Sequence, residues 1–152
     1  TTATNNPNNT TTLPATPSIQ ALNITFSNIA TKTLTATYTK GNGTKRAIFI
    51  KAASSGSSLP VNNTTYTANT IFGSGTQIGT TGWYCVYNDT GRTVNITGLQ
   101  QNTNYTVMAC EYNGTPGSEL YNTSTATNNP NSSKTTVGIN EKQLSKEKGT
   151  IR

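Results

Sequence analysis

The sequence predicts an all-β protein, an antiparallel β-sandwich of about seven strands, and three observations support this prediction. Apolar and polar residues alternate over much of the chain, as around Leu22, Ile24 and Phe26, which is the pattern of strands buried on one face. Thr occupies 33 of 152 positions, and this β-branched residue suits the exposed face of a strand. Only 31% of residues are hydrophobic, so the core is expected to be thin.

Six alternating segments predict the strands in chain order. The segments 83–88 and 93–99 flank the turn Asp89-Thr90-Gly91, so we expect them to form a hairpin. A weaker final strand near 124–127 or 134–137 would close the sandwich. The long segment 53–82 indicates either a functional loop or structure without a clear pattern. The six segments are residues 19–29, 33–40, 45–52, 83–88, 93–99 and 105–112.

The most specific motif lies in VNITGLQQNTNYTVMACEYN, residues 94–113. Gly98 and Leu99 are followed at fixed spacing by Tyr105 and Val107, giving G-L-x(5)-Y-x-V. This run resembles the corner between the fifth and sixth strands of fibronectin type III domains. The resemblance implies an immunoglobulin-like sandwich in which Leu99 and Tyr105 form a structural corner, with the Tyr105 hydroxyl tied to upstream backbone.

Other segments extend the resemblance over about residues 13–137. TTYTANTIFGSGTQIG, WYCVYNDTG and CEYNG are similar to a fibronectin type III-like module of secreted Bacteroidota proteins. In that group the long segment after the third strand is a family trait. The tail VGINEKQLSKEKGTIR resembles the linker before a type IX secretion sorting domain. The resemblance implies a secreted or cell-surface location.

Three parts are therefore expected along the chain. Residues 1–12 form an Asn/Thr/Pro-rich low-complexity segment that buries little apolar area, so we interpret them as a linker. Residues 13–137 form the sandwich. Residues 138–152 are predicted to be a charged tail, or a linker to a missing C-terminal sorting domain.

The ionisable residues argue against catalysis. The chain contains no His, which removes the commonest general base and the usual catalytic triads. Glu111 and Glu119 are the only carboxylates expected to approach each other, and we expect Glu111 to hold a loop by hydrogen bonds. We predict no enzyme activity, no catalytic residue, no metal and no cofactor.

The net charge of +6 does not predict a nucleic-acid partner. The basic residues are scattered, and Lys45 and Arg46 are the only adjacent pair, whereas nucleic-acid binders concentrate them on one face. No run approaches the roughly 20 apolar residues of a membrane helix. We therefore expect neither nucleic-acid binding nor membrane insertion.

Two cysteines, Cys85 and Cys110, leave two alternatives open. An even count in an exported protein favours a disulfide. In fibronectin order, however, the third strand separates the strands of the two cysteines by about 9.5 Å, beyond the roughly 7 Å that a disulfide spans. The expectation is a disulfide, because exposed thiols are reactive outside the cell, and the alternative is two free thiols.

Four aromatic residues are candidates for glycan or partner contact. Trp83 and Tyr87 share the parity of Cys85, and Tyr112 shares that of Cys110, so these rings could form an exposed strip that Tyr121 joins. Such strips stack on sugar rings. The alternative is that the rings cover a thin core and support the long segment.

Three functions compete. The first is a noncatalytic structural or interaction module that spaces or presents neighbouring domains of an exported parent protein. The second is a carbohydrate-binding module that uses the aromatic strip on a polysaccharide. The third is a subunit of a self-assembling surface fibre, in which identical subunits pair through strand edges.

Overall fold

A computed structural model describes residues 13–139. The predicted linker 1–12 and the tail from residue 140 lie outside the described residues. The described part contains eight strands: β1 (Leu22–Ser27), β2 (Leu34–Thr39), β3 (Lys45–Lys51), β4 (Tyr84–Asp89), β5 (Thr93–Ile96), β6 (Asn104–Asn113), β7 (Leu120–Tyr121) and β8 (Asn131–Lys134). No helix that could span a membrane occurs in this part of the chain.

The strands form two antiparallel sheets. The smaller sheet has the order β1-β2-β5, and the larger has the order β4-β3-β6-β7, with β8 also pairing with β6. Residues of β1 to β6 fill the core between the sheets, as shown by Leu34 and Ala36 of β2 and by Ile48 and Ile50 of β3, all fully buried. The predicted all-β antiparallel sandwich is confirmed.

The predicted hairpin of the fourth and fifth strands is wrong. β4 pairs with β3, whereas β5 pairs with β2, so the turn between them carries the chain from one sheet to the other. Val94 and Ile96 of β5 are buried in the core between the sheets. The alternation of these residues is the same for either partner, so the pattern alone could not identify the correct one.

The closing strand is divided into two pieces. β7 pairs with the end of β6 and β8 with its beginning. Between them the backbone turns to the other sheet, where Asn23 and Ile24 donate N–H bonds to Thr127 and Asn128 at 2.8 and 3.1 Å. The final strand was predicted at 124–127 or 134–137 and lies at 131–134.

Residues 52–83, here called the strap, cross the outer face of the larger sheet. At one side, the Asn63 N–H donates to the Glu119 carbonyl at 2.8 Å. At the other side, Asn69 donates to the Cys85 carbonyl and the Cys85 N–H donates to Thr76, at 3.1 and 2.9 Å. The strap therefore closes the outer edge of β4, which would otherwise present unpaired backbone groups.

The described chain begins and ends at opposite poles of the sandwich. At the amino pole, Asn122 and Asn113 side chains donate to the carbonyls of Pro17 and Ala15 at 2.9 and 2.7 Å. At the carboxyl pole, the Gly138 N–H donates to the Gln101 side chain at 2.8 Å. The ten residues of β6 run between the two poles, a distance of about 30 Å.

Candidate functional site

The predicted exposed aromatic strip is absent from the surface. Trp83, Tyr112 and Tyr121 are only 2%, 5% and 3% exposed, because the strap covers the face on which they lie. They belong to a second core between the strap and the larger sheet. Its members are Ala47, Phe49, Tyr66, Ile78, Trp83, Cys85, Met108, Cys110, Tyr112 and Tyr121.

Tyr87 points away from the other three aromatic residues. Ile48 lies opposite Tyr87 and Phe49 lies opposite Cys85, so Val86 is an additional residue that forms a β-bulge. Tyr87 was predicted to lie on the same face of the strand as Cys85. Because of the bulge it lies on the other face and packs against the core between the sheets. Its hydroxyl accepts a hydrogen bond from the Gly91 N–H at 2.6 Å.

The expected disulfide between Cys85 and Cys110 is not formed. Both thiols are free and buried. β3 lies between their strands, with Phe49 opposite Cys85 and Ala47 opposite Cys110, so the separation exceeds what a disulfide can span. Burial raises the pKa of each thiol to about 12, so the thiols are not the exposed, reactive groups on which the expectation rested.

Leu99 and Tyr105 form a buried corner between β5 and β6. The Tyr105 hydroxyl accepts a hydrogen bond from the Gln100 N–H at 2.8 Å. The Leu99 N–H donates to the Lys32 carbonyl at 3.0 Å. These contacts connect the loop before β6 to the turn before β2, and they serve the structure of the carboxyl pole.

Glu111 and Arg46 form a buried ion pair at the amino pole. The two Glu111 oxygens accept bonds from the N–H groups of Gly41 and Gly43, both at 2.9 Å, and from the Arg46 guanidinium at 2.7 and 3.3 Å. Arg46 also donates to the Thr90 and Gly91 carbonyls. The Glu111 carboxylate thus holds the β2–β3 turn. Its oxygens are already occupied by these four hydrogen bonds and are not available to a substrate.

A cavity of about 350 Å³ opens beside the strap near the amino pole. Tyr66 and Thr65 of the strap form one wall, and Tyr112 and the turn after β6 form another. Glu119 also lines the cavity and is only 2% exposed. Its carboxylate accepts hydrogen bonds from the Thr65 hydroxyl and from the Gly117 N–H, the latter at 2.9 Å.

Glu119 and Glu111 do not act as a pair. Glu119 is bound beneath the strap, whereas Glu111 is bound to the β2–β3 turn, and they share no hydrogen-bond partner. Residues 13–139 contain no group of three or more potential metal ligands of the His, Cys, Asp or Glu type.

The cavity was not predicted from the sequence. Lys45, Thr65 and Asn88 line it together with Glu119, although they are far apart in the chain. The one available signal was Glu119 itself, a single acid in the otherwise uncharged segment 112–133.

Comparison with known proteins identifies the fold. No protein-family model matches the chain, and no curated protein sequence matches it. The chain is similar to the fourth fibronectin type III domain of a human protein, solved in solution, with a TM-score of 0.51 over 87% of this chain and 91% of that domain. The chain has the fibronectin type III fold. At 13% identity the similarity shows the fold alone.

In this chain the two sheets and their core follow the predicted immunoglobulin-like arrangement. The strap adds a third layer on the larger sheet, because it supplies Tyr66 and Ile78 to the second core. The cavity beside Glu119 lies between this third layer and the turn after β6.

Proposed function

We propose that this chain is a noncatalytic structural or interaction module of an exported cell-surface or extracellular protein, in which it spaces and presents neighbouring domains. The observation that carries the proposal is the position of residues 13–17 and 137–139 at opposite poles, each held by hydrogen bonds. Segments attached at the two poles would be kept about 30 Å apart by the length of β6.

The ionisable groups of the described part support a noncatalytic role. The Glu111 carboxylate accepts four hydrogen bonds, two of them from the guanidinium of Arg46. The two thiols are buried, and burial raises the pKa of each to about 12, which leaves them almost fully protonated at neutral pH. These groups are used for structure.

The exported location rests on the resemblance of residues 13–137 to secreted Bacteroidota modules and of the tail to a sorting-domain linker. Two observations argue against a carbohydrate-binding module and against a fibre subunit. Of the four rings that a carbohydrate-binding module would need, Trp83, Tyr112 and Tyr121 are buried, and Tyr87 packs against the core between the sheets. The outer edges of β1 and β4, two of the edges that a fibre subunit could use, are already hydrogen-bonded to other segments of the same chain.

A two-reporter fusion tests the spacing role. One rigid fluorescent domain is attached before residue 13 and another after residue 139, and small-angle scattering and energy transfer are measured. A Gly/Ser linker of equal length is the matched control. We expect one narrow separation for this chain and a broad distribution for the linker; equal distributions would overturn the proposal.

Export is tested separately by fractionating cells that produce the parent protein. An antiserum against residues 13–139 should detect it at the cell surface or in the medium, and surface protease treatment should remove the signal. Detection confined to the interior of intact cells would contradict the exported location.

A further inference from the structure

We propose that the cavity beside Glu119 binds a primary ammonium group, carried either by a small amine or by a lysine side chain. The cavity places a buried carboxylate next to two tyrosine rings at the amino pole. This goes beyond the spacing role, which does not require any ligand.

The first argument is that the Glu119 carboxylate has no cationic partner. Within residues 13–139, the only ion pair joins Arg46 to Glu111. The Glu119 oxygens accept from the Thr65 hydroxyl and the Gly117 N–H, and a carboxylate has about four acceptor positions. A buried charge without a counter-charge is unfavourable, so a ligand cation would be bound where its charge compensates that of Glu119.

The second argument is the composition of the walls. Tyr66 and Tyr112 line the cavity, and the faces of aromatic rings attract ammonium groups. Burial first and the Glu119 charge second raise the pKa of the Tyr112 hydroxyl, which agrees with a carboxylate close to that ring. A volume of about 350 Å³ accommodates an aliphatic amine.

Lys45 is the single basic residue among those that line the cavity. It is exposed, and its ammonium lies beyond the 4.0 Å limit of an ion pair with Glu119. Its charge opposes that of an incoming cation. Removal of this charge should therefore strengthen amine binding, which distinguishes a specific site from a general effect of reduced stability.

The test is a titration of the full 152-residue chain, monitored by amide NMR. The probe is n-butylammonium, and n-butanol is the neutral control of similar shape. We expect saturable shifts at Thr65, Gly117 and Tyr112 with a Kd of about 1–10 mM for the amine, and none at those amides for the alcohol. An acetylated peptide of residues 141–152, with a version in which its lysines are replaced by Gln, tests a lysine side chain as the source.

Three variants of the chain complete the design. Glu119→Gln keeps the side-chain shape and should weaken butylammonium binding about tenfold or more. Asp89→Asn removes an exposed carboxylate on the adjoining part of β4 and should weaken binding by less than about twofold, far less than Glu119→Gln. Lys45→Gln should tighten binding about two- to threefold. If Glu119→Gln does not fold, the Kd of Lys45→Gln decides whether the proposal holds.

The measured affinities distinguish a lysine side chain from a small amine, and both from the absence of a specific ammonium site. Tighter binding of the lysine peptide than of butylammonium would support a protein ligand, and the reverse would support a small amine. Equal binding of amine and alcohol, or unchanged affinity in folded Glu119→Gln, would overturn the proposal. Weaker or unchanged binding in Lys45→Gln would also overturn it. None of these results bears on the reporter separation that tests the spacing role.

Discussion

The Arg46–Glu111 pair fixes the amino pole at the scale of single residues. Both side chains are almost completely buried, and the carboxylate binds two backbone N–H groups of the β2–β3 turn. The turn needs glycine at both positions, since a Cβ on Gly41 would lie 1.9 Å from the Ile19 oxygen and one on Gly43 2.7 Å from Glu111 Oε2. Close contacts with the Ile19 backbone and with Glu111 therefore require the two glycines of the GNG turn.

Replacement of Glu111 by Gln is expected to lower the free energy of unfolding by about 3–5 kcal/mol, because it leaves the Arg46 charge buried without a counter-charge. Urea unfolding measures the change. Asp89→Asn, at an exposed acid, is the control and should change stability by less than about 0.5 kcal/mol. A loss below about 1 kcal/mol for Glu111→Gln would show that the ion pair is not important for stability.

The two thiols are expected to be unreactive in the folded protein. Burial raises the pKa of Cys85 and Cys110 to about 12, so about one thiol in ten thousand is ionised at pH 8. Alkylation with iodoacetamide, followed by mass spectrometry, should label neither residue until urea unfolds the chain, and both afterwards. Rapid labelling of the native chain, or a 2 Da mass increase on reduction, would contradict this arrangement.

At the scale of elements, strands with alternating apolar residues could be predicted from the sequence, whereas the strap and the bulge, which depend on contacts between distant residues, could not. β1, β2 and β5 were found because each buries one face, which leaves a period of two. β3, β4 and β6 contribute residues to both cores, and they were found from their apolar residues. The strap has no such period, since its hydrogen bonds to Cys85 and Glu119 are made by an irregular backbone. The bulge at Val86 reversed the face of Tyr87, and nothing in the local residues marks it.

The same reason explains why the cavity was missed and the corner was not. The corner is local: the Tyr105 hydroxyl bonds to a residue five positions earlier, so a short motif contains both partners. Glu119 and Thr65 are 54 positions apart and meet only because the strap crosses the sheet. Glu111 was correctly expected to form hydrogen bonds, but its position in the alternating pattern did not indicate that Arg46 would be its partner.

The strap is expected to depend on Tyr66. Its ring contacts Phe49 and Tyr121 edge-on, with centroid distances of 5.0 and 5.8 Å, and its hydroxyl accepts from the Val61 N–H at 3.0 Å. Tyr66→Ala should cost about 3–5 kcal/mol of stability, whereas Tyr66→Phe should cost only about 0.5–1.5 kcal/mol.

Hydrogen exchange locates the effect of Tyr66→Ala. The amides of Asn69 and Cys85, which join the strap to β4, should exchange faster relative to that of Val107 in β6. If these amides stay as protected as in the unmodified chain, the strap is held by other contacts and the second core is not its anchor.

At the scale of the whole molecule, Asn129 connects the two sheets. Its side chain donates to the Ala21 carbonyl at 2.7 Å and to the Ala109 carbonyl at 2.8 Å, and it accepts from the Ala109 N–H at 3.0 Å. Ala21 precedes β1, whereas Ala109 lies in β6. This amide occupies the gap between β7 and β8, where that edge of β6 has no strand partner.

Asn129→Ala is expected to destabilise the protein by about 2–4 kcal/mol, because three buried backbone groups lose their partner. Thermal and urea unfolding measure the change. Thr127→Ala, at an exposed position of the same connection, should be nearly neutral. Equal stability of the two variants would mean that the backbone groups find other partners and that the sheets do not need this bridge.

The position of the two poles also determines how the sandwich would respond to tension. A pull between them acts along β1 towards the amino pole and along β8 towards the carboxyl pole, parallel to their neighbours β2 and β6. The hydrogen bonds of each pair then share the load and break together, rather than one after another as in unzipping. The sandwich would therefore hold its shape under tension until a threshold force is reached, with a lifetime set by its unfolding rate.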